Sequence, residues 1–202
     1  EGLKTVRELP WVGAMILMAT FQLMVVMSAE TILLPIITKR EFQTNTVFAA
    51  SAAAFAIGAT VSSLWSLKLK PKYPGLVALV VWSLFALMPI ALAFPFSPIF
   101  IVVTYLIAGV SVGPWEAYWP LALQREVPKE KLGRVFALDH AGSAGMIPLG
   151  MALVGPVTQL MGERNFLIFA ALFHILVNIV VYRVPGVKEM GTPANSSKSE
   201  QD

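Results

Sequence analysis

Six long apolar runs constrain this chain more than anything else in it. They lie at about Trp11–Ile37, Thr46–Leu67, Leu76–Phe94, Pro98–Gln124, Val135–Met161 and Phe166–Tyr182. A helix needs roughly 20 mostly apolar residues to cross the hydrocarbon of a bilayer, and each run approaches or exceeds that length. Backbone in lipid must satisfy its own hydrogen bonds, which makes helix the spanning form. Composition agrees: 56% of residues are hydrophobic and only 13% charged, against about 25% charged in soluble domains. A single water-surrounded core cannot bury so much apolar side chain. The expected fold is an all-α membrane protein with six transmembrane helices. Residues 1–10 form a lead-in, 11–183 the helical bundle and 184–202 a polar, disordered tail.

The connections are short and polar: "TKREFQTN", "KLKPKYPG", "PFS", "REVPKEKLGR" and "GERN". With six spans, both termini fall on one side. That side carries Lys4, Arg7, Lys68, Lys70, Lys72, Arg125, Lys129, Lys131, Arg134, Arg183, Lys188 and Lys198, and the other only Lys39, Arg40 and Arg164. Basic residues concentrate on the cytoplasmic side of membrane proteins, so both termini are expected in the cytoplasm and the chain in the cell (inner) membrane. The net charge of +3 is spread over these loops, whereas a nucleic-acid binder gathers its basic residues on one face. The absence of cysteine excludes disulfides, thiolate metal sites and cysteine nucleophiles. The opening "EGLKTVRELP" is polar and mixed in charge, and the apolar run after it is too long for a signal-peptide core.

Small residues mark where helices can approach closely in lipid. Ala50, Ala54, Gly58 and Ser62 recur every fourth residue in the second span. Gly109 and Gly113 do so in the fourth, and Ala137, Ala141 and Gly145 in the fifth, which also carries Gly142 and Gly150. Tight bundle packing is the first explanation; smooth faces that let helices rock are the second.

Ionisable groups inside spans are functional candidates by default. Glu116 stands in "GVSVGPWEAYWP", between Pro114 and Pro120 and beside Trp115, Tyr118 and Trp119. It lies about eight residues inside Arg125, roughly 12 Å along a helix, which places it near mid-membrane. Proline has no N–H, so Pro114 and Pro120 withdraw the helical partners of the Val110 and Glu116 carbonyls. A carboxyl in such a setting can exchange protons, hold a lipophilic cation against aromatic rings, or tie helices together. Asp139, five residues past Arg134 and roughly 7 Å into the fifth span, is expected to form a gating or structural salt bridge with Arg134 or loop cations near the cytoplasmic surface. Glu30 is expected near the outer mouth, in water. His140 is a possible relay. His174 and Asn178 share a face of the sixth span and suit interhelical hydrogen bonding.

Enzyme readings fare poorly. "AGSAG", Ala141–Gly145, has alanine where a G-x-S-x-G elbow needs its first glycine, although His174 lies on the next helix. No His/carboxylate cluster has metal-ligand spacing and no phosphate-binding glycine loop is present, so neither metal nor cofactor is expected.

The stretch "EVPKEKLGRVFALDHAGSAGMIPLGMALVGPVTQLMG", Glu126–Gly162, resembles the segment joining helices ten and eleven of major facilitator superfamily exporters, closest to the proton-coupled drug antiporters that include macrolide-efflux and enterobactin-export proteins. The likeness rests on "VP..KLGRV", the following aspartate and "PLGMALVGP". "LKTVRELPWV" is similar to the start of helix seven and "TILLP" to its outer end. Gly58–Gly75 keeps the glycine and basic residues of the family's inner loop but lacks its acidic residue and second glycine. The resemblance implies proton-driven, alternating-access efflux of small lipophilic molecules or siderophore-like compounds. It also implies that these residues form the C-terminal six-helix half, with an N-terminal half as partner. The alternative is a self-contained six-helix membrane protein, serving as a scaffold or a small dimeric transporter.

Overall fold

A computed structural model describes residues 6, 8–188 and 190. Among these the chain is helical and contains no strand. Six helices are long and apolar enough to cross a membrane: α1 Pro10–Phe42, α2 Thr46–Ser66, α3 Pro74–Ala93, α4 Pro98–Glu126, α5 Lys129–Met161 and α6 Glu163–Tyr182. The chain is thus a multi-pass membrane protein. The local signals are ordinary. Proline occupies the first turn of α1, α3 and α4, where its missing N–H costs nothing. Ser97 caps α4 by accepting the N–H of Phe100. Gln43, in the left-handed region, ends α1. Gly162, at φ +83°, turns the chain between α5 and α6.

Two boundaries differ from the sequence reading. Helix α1 runs through "TKREF" to Phe42, and α5 begins at Lys129 rather than Val135. Lys, Arg and Glu are good helix formers. Apolarity reports the depth of the membrane, not the end of the helix. The tail also starts later than expected. Val187 and Met190 are fully buried, and Lys188 lies 4.5 Å over the Tyr73 ring at the start of α3. A few apolar residues anchor this otherwise polar stretch. Residue 189, residues 191–202, and residues 1–5 and 7 of the lead-in lie outside the described residues.

Contacts at the helix ends fix the topology. Arg40 at the end of α1 bridges Glu163 at the start of α6 at 2.9 Å, and Arg164 covers the ring of Phe94 at the end of α3. At the opposite end, Glu8 meets Lys131 of α5 at 3.7 Å. The described start and end of the chain therefore lie at the same end of the bundle.

Four spans are irregular, and in three of them a proline follows the irregularity. Helix α1 widens to a π-helical segment at Leu23–Met27. Helix α3 tightens to a 3-10 turn at Ser83–Ala86, where Pro89 withdraws the donor for the Phe85 carbonyl. Helix α4 breaks at Val110–Ser111 and α5 at Ala144–Met146, each four residues or fewer before a proline. The Val110 carbonyl released by Pro114 is recovered by the Ser62 hydroxyl of α2 at 2.5 Å. The small faces of α2 and α4 are each other's partners. A Cβ on Gly58 would strike the Leu106 carbonyl, one on Gly109 the Phe55 carbonyl, and one on Gly113 would strike Ser62. On α5, Gly150 and Gly142 receive α1: a Cβ on the first would meet the Met24 carbonyl of the π segment, and one on the second the Thr20 hydroxyl. Ala137, Ala141 and Gly145 instead face outward.

Candidate functional site

The residues around Glu116 surround a cavity of 440 Å³ built from α1 to α5. Its floor is aromatic. Phe85 stacks on Trp82 (ring centroids 4.8 Å apart), Trp82 on Trp115 (5.3 Å) and Trp115 on Trp119 (5.7 Å), while Trp11 meets Trp119 edge-on at 6.0 Å. Four of the chain's five tryptophans thus form one connected stack. The one-turn spacing of Trp115 and Trp119 presents two of them on the same face of α4. Rings in these offset and edge-on arrangements attract beyond their area burial, so the stack makes a stiff wall.

The polar groups of this cavity are Glu116, Asp139, His140 and Ser143. Glu116 is exposed and lines the cavity together with Phe55 of α2 and Trp82 and Phe85 of α3. Asp139 is half-buried and accepts the indole N–H of Trp119 at 3.0 Å. The partner the structure gives it is therefore a cavity aromatic, reached because α5 crosses α4 at this level. Arg134 lies one turn earlier, exposed at the start of α5. His140 is exposed at the rim. Tyr118 does not join this wall: it is buried on the opposite face of α4, and its hydroxyl donates to the Ser66 carbonyl at the end of α2. Ser143 donates to the Asp139 carbonyl at 2.7 Å and His174 contacts the Trp82 carbonyl, so these two do not form a nucleophile–base pair in this structure.

His174 and Asn178 do hold helices together, within a larger network than the sequence suggested. Gln22 of α1 is its hub. Its amide donates to the His174 carbonyl at 3.0 Å and to Asn178 Oδ1 at 2.8 Å, and its carbonyl accepts Trp82 Nε1–H at 2.7 Å. Asn178 donates to Ser83 Oγ. His174 Nε2 faces the Trp82 carbonyl at 2.9 Å, so that nitrogen carries the hydrogen. Nδ1 is left a buried acceptor with no partner. The network joins α1, α3 and α6 directly behind the aromatic wall and fixes Trp82 within it. Gln22 and Trp82 were missed as site residues. The available signal was Gln22 itself, an amide in an apolar span.

Glu30 is the clearest correction. It is 4% exposed, not solvated, and Tyr105 of α4 donates its hydroxyl to Oε2. Distance along the chain from Trp11 suggested an outer mouth. The helix continues to Phe42, however, and the Glu30 side chain is buried where α1 meets Tyr105 of α4. Among the described residues, no group of three or more His, Cys, Asp or Glu side chains is placed to hold a metal ion. Comparison with protein-family models, curated proteins and solved structures gives no match.

Proposed function

We propose that this chain is the C-terminal half of a major-facilitator-type exporter that moves small lipophilic molecules by proton antiport. The observation that carries this reading is a rigid tryptophan stack with Glu116, Asp139 and His140 at its open side. The aromatic rings pack on one another, and both carboxyls line the same cavity. Such a surface suits a lipophilic guest with a polar or positive group. A binding surface open along one side of a bundle needs a second bundle to close it, and alternating access consists of two such bundles rocking around a midplane site.

Burial along the helices supports the second half. Only 11% of the most apolar window of α5 is buried and 28% of that of α2, against 50% and 56% for α1 and α3. Helix α5 also turns Ala137, Ala141 and Gly145 outward, the small residues that let another helix approach closely. In this reading α2 and α5 face the N-terminal half, with both termini in the cytoplasm.

The test is gradient-driven efflux in liposomes. The chain together with an N-terminal six-helix half should move substrate, and the chain alone should not; transport by the chain alone would sink the half-transporter reading. In the complete transporter, Glu116→Gln should abolish proton-coupled efflux while leaving expression unchanged. Efflux with its pH dependence intact in that variant would remove Glu116 from the proton path.

A further inference from the structure

At the end of the bundle that holds the described start and end of the chain, the loop before α3 and the residues after α6 bring lysines together. The ammonium group of Lys188 lies 4.5 Å from the centroid of the Tyr73 ring, and that of Lys72 lies 5.3 Å from it. Two cations thus share one aromatic ring. The fold holds Lys188 in this position. Val187 before it and Met190 after it are fully buried. A Cβ on Gly75, in the first turn of α3, would strike the Val187 carbonyl and the Met190 side chain. Gly186, at φ +91°, turns the chain where a side chain would crowd the Trp11 ring. The Val187 N–H donates to the Val184 carbonyl at 3.2 Å. The segment after α6 is therefore strapped across the start of α3, and its anchors on either side of Lys188 keep that lysine over Tyr73.

The surrounding sequence does not answer this charge. Residues 42–115 and 164–188 contain no Asp or Glu; Glu189 lies outside the described residues. Lys68 and Lys70 in the same loop and Arg183 in the strap add exposed positive charge. Among the described residues, Lys68, Lys70 and Lys188 form no ion pair. An aromatic face attracts each ammonium group but carries no net charge, so the two cations still repel and an anion between them is favoured. The apolar neighbours say which kind of anion. Leu67 and Leu69 alternate with Lys68 and Lys70 and are 72% and 55% exposed, and Tyr182 at the end of α6 is exposed as well. Exposed leucines interleaved with lysines, beside tyrosines at span ends, form the pattern of a membrane–water interface, where lysines reach the phosphates. A soluble anion would use none of that apolar surface. We infer that Lys72, Tyr73 and Lys188 form a binding site for an anionic phospholipid, whose phosphodiester lies between the two ammonium groups and whose acyl chains run into the bilayer. A zwitterionic lipid is disfavoured there because it brings its own ammonium group to the same place. The inference does not depend on the exporter reading.

The experiment is native mass spectrometry of the full chain, released from mixed micelles that contain equal amounts of phosphatidylglycerol and phosphatidylcholine. The lipid retained should be mainly phosphatidylglycerol; retention without preference overturns the inference. Lys188→Gln should lower phosphatidylglycerol retention by about fivefold or more, since one basic residue at a membrane surface is worth roughly that factor. Lys129→Gln removes the same charge from an exposed position at the start of α5, at the same end of the bundle, and should leave retention within about twofold because a distant surface charge is screened. Equal losses in these two variants would mean a general surface charge and overturn the site. Lys188→Arg keeps the charge and should keep the lipid; loss there would make the packing of the strap the cause, and also overturn it. Lys72→Gln leaves the strap untouched, so it decides the matter even if Lys188→Gln does not fold. Loss of phosphatidylglycerol in that variant supports the site, and unchanged retention overturns it. Inorganic phosphate in excess should not displace the lipid. Displacement would mean a site for soluble phosphate and overturn the lipid assignment.

Discussion

At the scale of single residues, the polar side chains of this membrane protein divide by what surrounds them. Gln22, His174 and Asn178 are buried and mutually satisfied, apart from His174 Nδ1. Their work is to hold α1, α3 and α6 in register and to keep Trp82 in the aromatic stack. Replacing Gln22 by Leu should leave Trp82 Nε1–H and the Asn178 carbonyl without partners. A buried group stranded in this way costs about 1–3 kcal/mol, so Gln22→Leu should lower the unfolding free energy in detergent by about that amount. It should also disturb Trp82, visible as a change in near-ultraviolet circular dichroism. An unchanged unfolding transition would mean that the network is dispensable. Glu116, Asp139 and His140 differ because they line an open cavity. Their substitution should act on ligand and proton handling more than on folding.

At the scale of elements, glycine decides which helices touch. Helices α2 and α4 meet so closely that Gly58 and Gly109 each face a carbonyl oxygen of the other helix. Backbone cannot swing aside as a side chain can. Gly58→Ala and Gly109→Ala should therefore each destabilise the protein by about 1–3 kcal/mol, the usual cost of forcing extra volume into a packed interface. Gly133 of α5 has nothing within 4 Å of where a Cβ would stand. Gly133→Ala should stabilise by up to about 1 kcal/mol through helix propensity alone. Thermal unfolding of the three variants in the same detergent checks the contrast. Similar transitions for all three would show that the α2–α4 interface yields more easily than its geometry allows. The breaks in α4 and α5 belong to the same scale: each precedes a proline, and the break in α4 is repaired by a hydroxyl from the neighbouring helix.

At the scale of the whole molecule, the bundle is uneven. Helices α1 and α3 form its buried centre, whereas α5 lies along the outside with most of its surface uncovered. Its orientation can be tested directly, since the chain has no cysteine. Lys70→Cys and Asn45→Cys place single thiols at exposed positions at opposite ends of α2. In intact cells, a membrane-impermeant maleimide should label Asn45→Cys and leave Lys70→Cys unmodified until the cells are opened. The reverse pattern would invert the topology. This expectation follows from the twelve basic residues assigned to one side against three on the other.

The sequence by itself determined the six spans, their antiparallel order, the small faces of α2 and α4, and the presence of acids among aromatics at "GPWEAYWP". These depend on periodicity, length and local chemistry, which are written along the chain. It did not determine which polar residues are buried. Glu30, expected in water near an outer mouth, lies buried against Tyr105, whereas Glu116 lines an open cavity. Depth along a helix can be counted in residues, but the direction a side chain faces depends on which helices pack beside it. That packing joins residues far apart in sequence, as Tyr105 and Glu30 or Gln22 and Asn178 show. Gln22 and Trp82 became site residues for the same reason, because only the tertiary structure brings α1, α3 and α6 to one point behind the stack.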